Sequence, residues 1–289
     1  MEVRIKEPMS RHTTFRAGGE AEWFVMPETA EELAAVFSAA KKAGMDFYII
    51  GNGSNLLVSD RGYDGVVISM EKYRTLEISG TDLTAGAGVP LSRMAAEALK
   101  AGLTGLEFAA GIPGTLGGAV VMNAGAYGSE IRDVLKKVTV LDRQGQVLTL
   151  QAEELELGYR TSCVEKKGLV VLEAEFGLKE GRAEEIRALM DELAARRREK
   201  QPLEYPSAGS TFKRPAGNFA GKLIEEAGLK GWSVGGAQVS EKHAGFVINR
   251  KDATASDIYR LCRQVQKKVM EHSGVLLELE VKLLGTFED

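Results

Sequence analysis

The stretch from Phe108 to Ser129 carries no charged residue, six glycines and one proline. By length alone it could cross a bilayer. Its glycines and Pro113 argue against a continuous helix and for a loop-rich segment buried in protein. Within it, Gly111–Ile112–Pro113–Gly114–Thr115–Leu116–Gly117–Gly118–Ala119 runs into Met122–Asn123–Ala124–Gly125–Ala126–Tyr127–Gly128. So many glycines in an apolar setting let the backbone approach a flat or extended ligand, or serve as a packing seam. A second loop, Gly51–Asn52–Gly53–Ser54–Asn55, follows an expected strand at 47–50. Glycines there let N–H groups converge on an anion, with Ser and Asn as short donors; the alternative is a tight turn. Position 56 is Leu where a dinucleotide fingerprint needs its third glycine, and Gly-Lys-Ser/Thr is absent from the longer loop. The two loops together point to a large phosphate-bearing cofactor.

The 289 residues suggest two domains, with one large domain as the alternative. The first part alternates strands and helices. Thr29 and Glu32 read as a capping box for a helix with Leu33, Val36, Phe37 and Ala40 on its core face and Gly44 as its stop. Met94, Ala95, Ala98 and Leu99 mark a second helix opened by Pro90 and Ser92. Asp142 to Gly145 reads as a hairpin turn between strands. A second unit begins near Gly181. Its first helix, 183–200, places Ile186, Leu189, Met190 and Leu193 on one stripe. Asn218 is expected to open a short helix, 244–249 to form a strand, and Thr254 with Asp257 to cap a long helix. The chain closes on an alternation of Val275, Leu277, Leu279, Val281 and Leu283 against Glu278, Glu280 and Lys282.

The net charge of −4 supplies no field for nucleic acid. Arg196, Arg197, Arg198 and Lys200 fall on a helical pattern and read as a solvated face. Residues 1–15 lack the apolar core of a secretory signal. Two widely separated cysteines, Cys163 and Cys262, fit a reducing compartment, and the three histidines make no metal-binding spacing. A cytoplasmic protein without a metal, a membrane span or a nucleic-acid partner is expected.

An ordered set of motifs adds to this. His12–Thr13–Thr14–Phe15 with Gly18–Gly19, the Gly51–Asn55 loop, the Gly111–Gly128 stretch and Gly158–Tyr159–Arg160–Thr161–Ser162 come first. Gly209–Ser210–Thr211–Phe212–Lys213, Lys242–His243–Ala244–Gly245–Phe246 and the 277–285 segment follow. This order resembles the UDP-N-acetylenolpyruvoylglucosamine reductases of peptidoglycan precursor synthesis, over nearly the whole chain. The resemblance implies an α+β fold: a vanillyl-alcohol-oxidase-type FAD-binding domain of two α+β subdomains over 1–181, then a smaller α+β substrate-binding domain over 182–289. The last strand is expected to return toward the flavin. It implies that Gly51, Asn52, Gly53, Ser54 and Asn55 cradle the FAD pyrophosphate. Gly111, Gly114, Gly117, Gly118, Asn123, Ala124 and Gly125 would line the flavin. With no His between His12 and His243 and no Cys before Cys163, FAD is expected to bind non-covalently.

The resemblance also implies a reaction. NADPH reduces FAD, and UDP-N-acetylglucosamine enolpyruvate then accepts hydride, to give UDP-N-acetylmuramate for the cell wall on which bacterial shape and division depend. Such chemistry needs a cation or donor at the substrate carboxylate and a proton source over its alkene. Arg160 resembles the active-site arginine, and its forked guanidinium suits a carboxylate or enolate. Ser210 stands where the family has its proton donor, although a serine in a glycine loop is by itself a turn former. Glu280 is the implied second group at the carboxylate, protonated by burial, with Glu278 as its rival on the same face. Tyr159, Lys200 and Arg214 are implied in substrate binding, Lys200 at the diphosphate. Arg214 departs from the Asn of many relatives. The short chain after Arg160 resembles the class without a lid-tyrosine segment. A monomer is expected. An oxidase on the same flavin fold and a non-catalytic nucleotide-binding module are the competing readings.

Overall fold

The computed structural model describes residues 1–288, which form two compact units. One comprises Met1–Arg4, Phe24–Asn52 and Val66–Arg197. The other comprises Ile5–Trp23, Gly53–Gly65 and the described residues from Arg198 onward. Neither is a continuous segment, so this partition differs from a single cut after residue 181.

In the first unit, the helix Ala30–Ala43 starts at Thr29, whose Oγ1 accepts the Glu32 N–H at 3.2 Å. The Glu32 carboxylate takes the N–H of Glu28 at 2.8 Å, so the expected capping box closes one residue early. Leu33, Val36, Phe37 and Ala40 are buried, and Gly44 ends the helix in the left-handed conformation at φ 64°. The strand Phe47–Ile50 pairs in parallel with Tyr63–Ser69, Phe47 opposite Val66. A five-stranded antiparallel sheet runs in the order Val147–Gln151, Leu135–Leu141, Val170–Gly177, Asp82–Gly86, Leu76–Ser79. Its hairpin turns where expected: Asp142 Oδ1 accepts from Gln144 and Gln146 N–H, both at 2.8 Å. The helix Leu91–Lys100 buries Leu91, Met94, Ala95, Ala98 and Leu99. Burial of Leu91, Met94 and Leu99 contributes about 1.5–3 kcal/mol each, and the two alanine methyls less.

The helix Ala183–Lys200 departs from expectation. Of its predicted stripe only Ile186 is buried, and Leu189 is exposed. Charged residues surround that stripe on both sides, so little apolar surface remains to be buried along it.

In the second unit, the helix Ala255–Ser273 packs Ile258, Leu261, Val265 and Val269 into a cluster with Phe15, Leu57, Phe212, Leu223 and Leu277. Thr254 and Asp257 form the expected capping box. Asp60 adds a second cap: its carboxylate accepts from Ala255 and Ser256 N–H, both at 2.8 Å, and from Ser256 Oγ at 2.6 Å. A three-stranded sheet runs Ser233–Val234, Ala237–Val239, Val247–Asn249. The expected strand over 244–249 is shortened because Ala244 and Gly245 lie in a turn on His243. There Phe246 N–H donates to His243 O, and Gly245 N–H to the ring Nδ1. The short helix Ala220–Glu226 starts after Phe219 rather than at Asn218.

The closing alternation holds only to Val281. Leu277 and Val281 are buried, but Leu283 is exposed and Leu284 buried. The chain changes partner there. Leu279 bridges Phe212 antiparallel, whereas the strand Lys282–Leu284 pairs in parallel with Leu56–Val58. With a new neighbour the inward face moves by one residue.

Candidate active site

In the first unit, Gly51 and Asn52 leave the strand Phe47–Ile50 beside the longer glycine loop. Asn52 Nδ2 donates to Pro113 O at 2.8 Å. A Cβ on Gly51 would run into Thr115 Oγ1. That hydroxyl is buried and has no hydrogen-bond partner. Buried polar atoms are rarely left so, because desolvation without a bond costs about 1–3 kcal/mol. Gly117 approaches Ala87, where a Cβ would lie 3.1 Å from that of Ala87, while a Cβ on Gly118 would meet nothing. The cradle left by Gly51 and the orphaned hydroxyl of Thr115 fit a phosphate-bearing flavin nucleotide. Thr115 was not singled out from the sequence, although a lone hydroxyl within a glycine loop was a usable signal. Arg197 also departs from the expected solvated face. It is half-buried against Gly111, whose added Cβ would lie 3.2 Å from Nη1, and burial lowers its pKa from the ordinary value.

Asn123 ends the helix Leu116–Met122 with φ 43° and is fully buried. Its side chain is engaged by Glu130, Gly158 and Arg132. Beyond it lie Ala124 and Gly125, whose carbonyl accepts from Arg160 Nη2 at 3.5 Å. Arg160 sits with Tyr159 at the tip of a tight turn closed by Gly158 and Thr161. Tyr159 is exposed, its ring centroid 5.3 Å from Arg160 Cζ. Cys163 is buried and its thiol donates to Glu154 O at 3.4 Å.

In the second unit, Gly53 lies where a Cβ would strike His12 O, and its carbonyl accepts from Thr14 N–H. Asn55 donates from Nδ2 to Glu280 O at 3.0 Å and accepts at its carbonyl from Lys282 N–H at 3.0 Å. The residue expected at a cofactor thus also brackets Glu280. On the other side Glu280 N–H donates to Thr211 O at 2.9 Å, the residue after Ser210. Thr211 is held in turn: its N–H donates to Gly245 O and its Oγ1 accepts from Val247 N–H, both at 2.9 Å. Ser210 is exposed after Gly209, which has φ 73°. The rival Glu278 is turned to solvent and accepts from Lys213 Nζ at 3.0 Å. Lys200 is exposed at the end of its helix. Arg214 Cζ stands 4.0 Å from the ring centroid of Phe219, itself 57% exposed, a pairing unseen in the sequence. Arg160 is thus in one unit, and Ser210 and Glu280 are in the other.

Comparison with known proteins accords with these features. Residues 21–151 match the family model described as FAD binding domain. Physcomitrella patens BBE-like 1 shares the fold alone, at a TM-score of 0.50 and 18% identity over 62% of this chain and 42% of that one. The fold is that of an FAD-binding flavoprotein, with an α+β architecture. Residues 201–284 match the model for the UDP-N-acetylenolpyruvoylglucosamine reductase C-terminal domain. Proteins named UDP-N-acetylenolpyruvoylglucosamine reductase are similar throughout. That of Caldanaerobacter subterraneus subsp. tengcongensis is 52% identical, covering 97% of this chain and 93% of the relative. That of Exiguobacterium sibiricum is 51% identical, covering 98% and 93%. The crystal structure of the Thermus caldophilus reductase matches at a TM-score of 0.85 and 38% identity, over 98% of each chain. The chain belongs to the UDP-N-acetylenolpyruvoylglucosamine reductase family and is an FAD-binding oxidoreductase. Among the described residues no helix is long and apolar enough to cross a membrane, and no cluster of His, Cys, Asp or Glu could hold a metal ion.

Proposed function

We propose that this protein uses NADPH to reduce UDP-N-acetylglucosamine enolpyruvate to UDP-N-acetylmuramate, in the cytoplasmic stage of peptidoglycan precursor synthesis, and that it acts as a monomer. The observation that carries the mechanism is the pairing that ties the Ser210 segment to Glu280 through Thr211. Bound FAD supplies the hydride relay from NADPH to the terminal carbon of the enolpyruvyl group. Gly51 to Asn55 and the Gly111–Gly125 loop hold that cofactor, with Thr115 Oγ1 as a further donor. Residues 1–181 serve FAD and 182–289 the sugar nucleotide, a division supported by the separate family matches over 21–151 and 201–284.

As hydride arrives, negative charge develops on the carboxylate side of the substrate. Arg160 offers a fixed fork of N–H donors to it, and Glu280 in its protonated form donates a hydrogen bond to the same enolate. Ser210 delivers the proton to the neighbouring carbon. A serine hydroxyl is a weak acid, so it works only beside a strongly basic enolate held in place. Tyr159, Lys200 and Arg214 bind the sugar nucleotide, Lys200 at its diphosphate.

Anaerobic stopped-flow absorbance tests this assignment in two halves. Ser210→Ala should bleach its flavin with NADPH at close to the wild-type rate. The bleached state should then persist when the enolpyruvyl sugar nucleotide is added, slowed by about 10²–10⁴-fold. Reoxidation at the wild-type rate would remove Ser210 from the mechanism.

A further inference from the structure

We propose that Asn123 is a positioning residue that holds the turn bearing Arg160 in register with the glycine loop, an inference that rests on the role given to Arg160 above. The resemblance implies contact of Asn123 with FAD; beside that, its fully buried side chain is bonded to protein. Nδ2 donates to Gly158 O at 3.1 Å and to Glu130 Oε2 at 2.9 Å, while Oδ1 accepts from Arg132 N–H at 3.0 Å. One amide therefore joins three segments: the end of the helix Leu116–Met122, the turn at Ile131–Asp133, and the turn Gly158–Thr161. The Glu130 carboxylate it grips is itself fixed in a reciprocal cap with Asp133.

The turn at Gly158 needs such a hold. Arg160 lies in the left-handed region at φ 55°, which a residue with a Cβ adopts only when its surroundings impose it. Gly158 closes the turn on Thr161 by N–H to O at 3.0 Å, and the Asn123 amide bonds the carbonyl of the same Gly158. Two residues beyond Asn123, the Gly125 carbonyl receives the guanidinium of Arg160. Ser162 Oγ, just after the turn, donates to Val121 O at 2.8 Å and fastens its far end to the same helix. The backbone that presents Arg160 thus depends on the Asn123 anchor, and the Gly125 carbonyl that its guanidinium reaches lies two residues beyond that anchor. A guanidinium displaced by about 1 Å from a developing enolate loses most of its effect.

The experiment is a double-mutant cycle read on the two half-reactions. Asn123→Gly accepts the left-handed backbone and removes the side chain. Asn123→Asp keeps an acceptor for Arg132, loses both N–H donors and sets a carboxylate against Glu130 Oε2 and Gly158 O, so it should be the slower of the two. In protein saturated with FAD, reoxidation by UDP-N-acetylglucosamine enolpyruvate should slow by about a hundredfold in each, a far larger fall than in bleaching by NADPH. In an Arg160→Ala background, Asn123→Gly should add less than about threefold, because it acts through the guanidinium already removed. Full additivity, or unchanged reoxidation in the single variants, would overturn the proposal. Loss of FAD in both single variants would overturn it as well and make Asn123 a residue of the flavin site. Wild-type reoxidation in Arg160→Ala alone would instead sink the role of Arg160, which the cycle reads separately.

Discussion

At the scale of single residues, the two glutamates near the C-terminus separate by environment. Glu278 makes an exposed pair with Lys213, and such pairs contribute about 0–1 kcal/mol. Glu280 is bracketed through its backbone by Asn55 and Thr211. Glu280→Gln is expected to stall reoxidation by the enolpyruvyl sugar nucleotide, and Glu280→Ala to stall it further, because the amide of Gln still donates a hydrogen bond. Glu278→Ala should leave both half-reactions near wild type. Stopped-flow traces of the three variants check this, and comparable failure of Glu278→Ala would transfer the role. The choice between them was open in the sequence, since both occupy the same face of an alternating pattern. The salt bridge to Lys213 joins residues 65 apart in the chain, and no local pattern carries that information.

At the scale of elements, the decisive feature is the junction of the strand Phe47–Ile50 with the loop at Thr115. The clash that a Cβ on Gly51 would make with Thr115 Oγ1 explains why the position is glycine. Thr115→Val keeps the shape and removes the orphaned hydroxyl. FAD affinity should fall by about two- to tenfold, the value of one neutral hydrogen bond. Stability of the FAD-free protein should not fall, because a buried unsatisfied hydroxyl is removed. Flavin fluorescence titration and urea unfolding of the apoprotein check the two arms; unchanged FAD affinity would dismiss Thr115 as a ligand. Helix caps at Thr29 and Thr254 were legible because they are made within four residues of sequence. The second cap on the last helix, from Asp60, was not, since it comes from about 195 residues away.

At the scale of the whole molecule, FAD is expected to be part of the folded protein. The purified protein should be yellow, should release FAD on acid or heat denaturation, and should melt higher as FAD is added. A ligand at a hundredfold its Kd adds about 2.7 kcal/mol. A visible spectrum, a bleach with NADPH and a melting curve at several FAD concentrations measure this. Colourless protein that takes up no FAD and melts independently of it would contradict the cofactor assignment.

The sequence by itself determined the local elements and the chemistry of the loops. Helical periodicity, caps, turn residues and glycine spacing are set by neighbours a few residues apart, and the ordered motifs specified the family. Tertiary structure decided what long-range pairing controls. The closing strand changed its inward face at Val281 because it left Phe212 for Leu56–Val58. The stripe on the helix Ala183–Lys200 stayed largely unburied, since periodicity states which residues share a face but not whether anything covers it. Asn55 and Asn123 read as cofactor contacts from the loops that contain them. What the spacing did not show is that their amides also reach Glu280, 225 residues on, and Gly158, 35 residues on. A side chain's partner is fixed by the fold that brings distant backbone to it, and spacing along the chain carries no record of that approach.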